Sequence, residues 1–400
     1  MTTKPSARAP ATRTLTGLLV VTVAACVGGE GDIEASGAVG AWGEDDGWTL
    51  SAEPVLDLGG LGSGPEYAFT SIRTALVLDA ARVVVAGAFS PAELRSYRLD
   101  GSVEWITGGD GEGPGEFGTI SWVARGGGDT LVVHDSRLGR STFVDHEGTV
   151  LGIVRLTQAS NLEQPVRRQL LARFSDGSYI GFDNQWIQQG ERDFGRSEVL
   201  AFRLGLDGTI LDTIGPLAWG DHVPGPDGRR TQEILGKRAV YAPFGDRLLH
   251  GMGDDFTVQV YDFTGEVVDS MSRPHASRPV TDAMLEALKQ QELERVQGPE
   301  AETRRASVER RYRDEPRAQT LPAYQRFLVD GEGNVWVQAY QAPGDDRFEW
   351  SVFDRDGGGF LGTLELPAAF RLTDVAHGLV AGVWTDDLDV QTLRVYRLES

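Results

Sequence analysis

The chain has 400 residues, with 59 acidic side chains against 38 Lys plus Arg, a formal charge of −21 and a single cysteine. With no basic excess to displace counterions, this balance argues against a nucleic-acid partner, and one cysteine excludes a disulfide framework or a cysteine-rich zinc module. Hydrophobic residues at 40% exclude a chain disordered throughout, and 51 glycines with only four methionines point to strands and turns rather than a helical bundle.

In chain order, the first element is an address. Lys4, Arg8 and Arg13 precede the apolar run Leu18–Ala25, which is far shorter than the ~20 residues a membrane span needs. The run ends in Val23-Ala24-Ala25-Cys26, which resembles the bacterial lipobox. That resemblance implies cleavage before Cys26 and lipidation of the new N-terminus, giving a protein of the bacterial cell envelope, periplasmic or surface-exposed. Losing the three positive charges of residues 1–25 takes −21 to −24. Residues 26–49, rich in glycine and acids, are expected to be a flexible tether.

From residue 50 the sequence repeats. Gly62-Ser63-Gly64-Pro65-Glu66-Tyr67 returns as Gly111-Glu112-Gly113-Pro114-Gly115-Glu116-Phe117, with the prolines 49 residues apart. Short β-rich runs follow each copy, such as Ile120–Ala124, Thr130–His134 and Ser141–Asp145, separated by Gly and Asp turns. The turn before the fourth strand recurs with glycines at 101, 148, 208, 265 and 357, and a sixth copy starts at Val395-Tyr396-Arg397-Leu398. The gap of 92 residues before Gly357 holds no seventh copy, because residues 281–315 read as helix. Six four-stranded antiparallel sheets at this period predict an all-β, six-bladed β-propeller over residues 50–400, with a helical insert at about 275–320.

The Gly-x-Gly-Pro-Gly-Glu-Phe motif, with Thr130–His134 and Phe143-Val144-Asp145 after it, resembles an NHL-type repeat. The body as a whole is similar to six-bladed propeller lipoproteins of bacterial envelopes. That group is mostly of unassigned function, so the resemblance implies a fold and no activity. Some propeller lyases of the NHL type use a histidine-bound metal. Here His134 and His250 occupy matching places in units 2 and 4. Blade geometry puts them on the order of 19 Å apart, too far to share an ion.

The last unit runs out after its third strand, and Pro54–Leu58 precedes unit 1 without a sheet of its own. That strand is expected to complete the last sheet beside residues 391–398. In the insert, Thr281 is the expected N-cap, Gly298-Pro299 breaks the helix, and Glu300–Arg304 and Glu309–Arg313 are i,i+4 pairs.

No P-loop, H-E-x-x-H or G-x-S-x-G occurs, so neither cofactor nor metal is predicted. The pattern that stands out is arginine. Aligning the first strand of each unit places Arg73, Arg168, Arg238, Arg326 and Arg371 near its beginning, with Ser121 in unit 2. First strands line the central channel, so five guanidinium groups are expected at one mouth. They would meet there as an anion site or as inter-blade ion pairs. The insert should roof that mouth, adding charge from Arg304, Arg305, Arg310 or Arg311. These features favour a lipid-anchored binding module for a protein partner or an anionic ligand. A propeller hydrolase or lyase with its site at the same mouth is the alternative.

Overall fold

The computed structural model describes residues 47–88, 91–156, 168–183 and 194–399, without the side chains of 168–171. The segment expected to be a signal, Cys26 and nearly all of the expected tether lie outside these residues.

Six antiparallel sheets stand around a common axis. Their inner strands are Ile72–Asp79, Ile120–Arg125, Arg168–Arg173, Val240–Phe244, Tyr324–Val329 and Phe370–Ala376, and the first five sheets run outward in chain order. Consecutive inner strands touch one another from blade 1 to blade 6, and blade 6 touches blade 1 again, so the ring is closed. The protein is a six-bladed β-propeller.

Burial follows radius. Strands near the axis are covered on both faces by the flanking blades, so Val83-Val84-Val85-Ala86 is buried without alternation. At the rim, Val103–Gly108 is only partly covered and Ile106 is exposed. Each seam between blades has its own apolar filling. Ala75, Val77, Val383 and Val395 fill seam 6/1, Leu94, Phe117 and Leu131 seam 1/2, and Phe182, Val199 and Leu248 seam 3/4. Phe256, Tyr324 and Val337 fill seam 4/5, and Trp336, Trp350 and Phe370 seam 5/6. Seam 2/3 is the thinnest among the described residues, with Tyr179, Phe202 and Leu204 as its buried apolar side chains.

The two repeated glycine-proline loops share one lock. Arg140, almost fully buried, donates to the carbonyls of Glu112, Gly113 and Glu116 at 2.6–2.8 Å. In blade 1, Arg95 does the same for Pro65 and Ala68, at 3.2 and 2.9 Å. The recurrent hairpin turn is set by an aspartate whose Oδ1 accepts from the residue two positions on, as at Asp100, Asp207 and Asp262. Glycine then takes positive φ, +86° at Gly101 and +83° at Gly148 and Gly208. The fifth copy departs from the sequence reading. There Asp354 N donates to Gly359 O, one residue further than Asp145 reaches to Thr149, and the left-handed residue is Gly358 rather than Gly357.

The ring closes as the sequence implies. Gln391–Glu399 is the third strand of blade 6, and Leu56–Gly59 pairs with it in the register Leu56↔Val395 to Gly59↔Thr392. Thr49–Leu50 continues along the same edge against Glu399 and Leu398.

The insert is a helical hairpin, α1 (Asp282–Arg295) and α2 (Ala301–Asp314). The Thr281 side chain caps α1 by accepting from Met284 N, and Gly298 turns the chain at φ +92°. Neither helix buries a single residue, so the hairpin rests on the propeller rather than joining its core. Its base is stitched down by backbone bonds, Ile234 N to Pro316 O at 2.9 Å and Ala318 N to Ile234 O at 3.0 Å. Of the two expected helical pairs, Glu300–Arg304 forms at 3.7 Å, whereas Arg313 turns to Asp314 instead of Glu309.

Leu56 is 5% exposed and belongs to the seam 6/1 core. Leu56→Ala should therefore cost about 3 kcal/mol in urea unfolding, in the range for a buried leucine. Deleting residues 47–59 should cost far more and expose the blade 6 edge to self-association, read by sedimentation. A monomeric deletion variant of undiminished stability would contradict this closure.

Candidate functional site

Three of the five arginines singled out by sequence form a relay. Arg326 in blade 5 donates through Nη1 to Leu372 O of blade 6 at 2.6 Å. Arg371 in blade 6 donates to Ile72 O and Arg73 O of blade 1 at 2.8 and 3.2 Å. Arg73 in blade 1 donates through Nε to Ile120 O of blade 2 at 3.1 Å. The relay ends there, because the next inner strand offers Ser121 and no guanidinium. Arg73 is the residue skipped by a register shift between Ile72 and Thr74, a bulge that re-aims its side chain.

These bonds are not the inter-blade ion pairs that were one of the two expected arrangements. The arginines do not pair with carboxylates across the seams, and they do not point away from the propeller. Each is tied to a neighbour's backbone carbonyl, which orients the guanidinium but leaves its full charge in place. Among the described residues none of the three has a carboxylate within ion-pair distance. Arg73 and Arg371 keep solvent-accessible surface and Arg326 is half-buried. Arg326 also lies over the Trp350 ring, 5.8 Å from its centroid. Burial, and then the like charge of Arg371, push its guanidinium down to about 10, still protonated at neutral pH. Arg371 is likewise lowered, by burial first and by the charge of Arg73 second.

About 10 Å further along the axis, three residues on from Arg371, charge is handled in the opposite way. Asp374 is buried and accepts from Arg125 Nη1 at 3.0 Å and Nη2 at 2.5 Å, while Val77 N also donates to it. Arg125 reaches over from blade 2, so this bidentate pair bridges two blades.

The other two predicted arginines do not join the relay. Arg168 opens the blade 3 inner strand, pairing with Asp183, and its side chain lies outside the described residues. Arg238 stands two residues before the blade 4 inner strand, in an isolated bridge with Gly220. It lines a cavity of about 570 Å³ between residues 230–238 and the insert. The insert reaches the rims of blades 5 and 6 as well, where α1 shares a second cavity with Tyr340, Asp345, Asp387 and Asp389. Arg238 thus shares a cavity with the insert. Of the insert's own arginines, Arg311 is neutralised by Glu292 at 2.6 Å and Arg304 faces Glu300. Arg305 donates only to the carbonyl of Val296, and exposed Arg310 has no side-chain partner among the described residues, so these two keep their charge.

His134 and His250 are packing residues. His134 stacks on Trp122 at 5.0 Å with Nδ1 3.3 Å from Ser141 Oγ, and His250 Nε2 donates to Ala218 O at 2.8 Å. Among the described residues no group of three or more His, Cys, Asp or Glu converges to hold a metal ion.

No protein-family model matches the chain, and no curated protein matches it in sequence. Solved structures resemble it in fold. A member of the DUF4221 family from Bacteroides vulgatus is 10% identical with a TM-score of 0.47, covering 88% of this chain and 99% of that one. A virginiamycin B lyase from Staphylococcus aureus is 9% identical with a TM-score of 0.40, covering 88% and 99%. The WD40 β-propeller domain of Doa1 is 12% identical with a TM-score of 0.39, covering 88% and 98%. Likeness at this level does not extend to activity.

Burial lowers the His134 imidazole from 6.5 to about 4. The unfolded chain therefore takes up this proton first, and the stability His134 contributes is whole above pH 6.5 and lost as pH falls toward 4. His134→Phe, which keeps the stack on Trp122, should flatten the acid-side loss of stability by up to one proton over that window. An unchanged slope in pH-dependent urea unfolding would count against a buried neutral imidazole.

Proposed function

We propose that this protein is a lipid-anchored binding module of the bacterial envelope that receives an anionic group at one mouth of its propeller channel. The observation that carries the reading is the relay of Arg326, Arg371 and Arg73, three cations held in place by backbone carbonyls and matched by no carboxylate among the described residues. Arginine presents a planar fork suited to carboxylate or phosphate, and orienting it beforehand lowers the entropy cost of binding. Arg73 spends Nε on Ile120 O, which leaves its two terminal nitrogens for a ligand. In a chain of charge −21, an anion reaching this mouth is drawn by a local field of opposite sign to the whole. Anchoring at Cys26 through the Val23-Ala24-Ala25-Cys26 motif would hold the propeller at a membrane by a tether of about twenty residues.

Titration calorimetry with citrate at low salt tests the site. The wild type should bind, with affinity falling as salt rises. Arg73→Gln and Arg371→Gln should each weaken binding about tenfold or more, the scale of one hydrogen bond to a charged group. Arg73→Gln removes a single described bond, so it serves as the variant least exposed to folding defects. Affinity equal to wild type in both variants would contradict the proposal. For the anchor, Cys26→Ser should move the protein from the membrane fraction to a soluble or unprocessed form.

A further inference from the structure

The cavity beneath the insert is separate from the arginine relay and chemically different. Its floor comes from blade 3 and the segment leading to blade 4, with His222, Arg230, Glu233, Ile234 and Arg238. Its roof comes from the insert, with Leu288, Glu292, Arg311, Tyr312 and Glu315. At about 570 Å³ it falls within the size range of small-molecule sites.

Most of its polar groups satisfy one another. On the roof, Arg311 Nη2 donates to Glu292 Oε2 at 2.6 Å and Tyr312 OH donates to Glu292 Oε1 at 2.7 Å. On the floor, Arg230 Nη2 lies 3.1 Å from His222 Nδ1. Burial, then the Arg230 charge, lowers the imidazole, whose Nδ1 also lies 3.2 Å from Gly220 O. Three charged side chains of the lining are left over. Arg238, Glu233 and Glu315 have no side-chain hydrogen bond or ion pair among the described residues. Glu233 is raised by its own burial first and by the nearby charge of Asp221 second, with the charge of Lys237 opposing them. Lys237, next in sequence to Arg238, is spoken for by Asp254 at 3.0 Å.

Among the described residues, a lining in which Arg238, Glu233 and Glu315 have no side-chain partner presents both signs of charge and favours a ligand of both signs. An anion alone would answer Arg238 and leave Glu233 and Glu315 facing an added negative charge. A cation alone would do the reverse. We propose that this cavity binds a zwitterion with a free ammonium and a free carboxylate, an amino acid or short peptide. Its carboxylate would lie on Arg238, its ammonium between Glu233 and Glu315, and its side chains against Ile234, Leu235 and Leu288.

The test is titration calorimetry with the full-length protein and alanyl-leucine, in its free, N-acetylated and C-amidated forms. The free dipeptide should bind, and blocking either end should weaken it about tenfold or more, because each block removes a charge-assisted contact. Arg238→Gln should abolish the preference for the free carboxylate while keeping the preference for the free ammonium. The Glu233→Gln/Glu315→Gln double variant should do the opposite. Arg371→Gln, which disrupts the channel mouth, should leave dipeptide binding unchanged, so this site and the anion site fail independently. Equal binding of free and blocked forms, or no binding of the free form, would overturn the proposal. So would loss of dipeptide binding on Arg371→Gln with none on Arg238→Gln. The blocked-ligand comparison uses the wild type alone and decides the matter even if a variant does not fold.

Discussion

A ring of sheets is stable only if it closes, and every other feature of this propeller depends on how that is done. Six blades present twelve faces, and each seam buries the apolar surface of two of them. One open seam would expose an aliphatic wall and an unpaired strand edge at once. Leu56–Gly59 prevents this by adding to Gln391–Glu399, so blade 6 is built from two segments far apart in sequence. Closure also fixes the inner strands in register around the axis, and that register determines which side chains meet across each seam.

The guanidinium relay is a consequence. An arginine near the start of one inner strand reaches the carbonyls of the next, at Leu372, Ile72 and Ile120 in turn. Carbonyl oxygens are fixed dipoles, able to orient a cation without cancelling it. A carboxylate in the same place would have bound each arginine more tightly and neutralised the mouth. The Arg125–Asp374 pair deeper on the axis shows that alternative in the same molecule. There the negative partner is buried, and pairing is what makes burial of charge tolerable. Relay and pair thus use one residue type for opposite ends, a retained charge and a cancelled one.

Much of the architecture was legible from sequence because it rests on local chemistry. An aspartate that accepts from the residue two positions on, followed by a glycine at positive φ, marks each outer hairpin wherever it occurs. The insert announced itself by a threonine cap, a glycine break and the lack of β-branched runs. The site was legible only in part. Arg73, Arg326 and Arg371 share a distance to the second strand that spacing can reveal. Arg238 has nearly the same spacing, but it precedes the blade 4 strand, which carries no bulge, and it falls under the insert instead. Carbonyl acceptors could not be foreseen, since backbone oxygens carry no sequence signal. The shifted glycine at 358 reflects a turn one residue longer, which the repeat pattern does not encode. The cavity beneath the insert was missed for the same reason as most tertiary sites. It joins residues 222–238 to residues 288–315, and no local motif links them.

The central claim is that the channel mouth carries guanidinium charge that the protein orients and does not neutralise. A crystal of the protein soaked in bromide and measured at the bromine edge tests this directly, because anomalous peaks mark halide positions without reference to any assumed ligand. The account predicts a bromide within hydrogen-bonding distance of Arg73 and Arg371, lost on Arg73→Gln. Bromide at other surface cations with none at the mouth would contradict it.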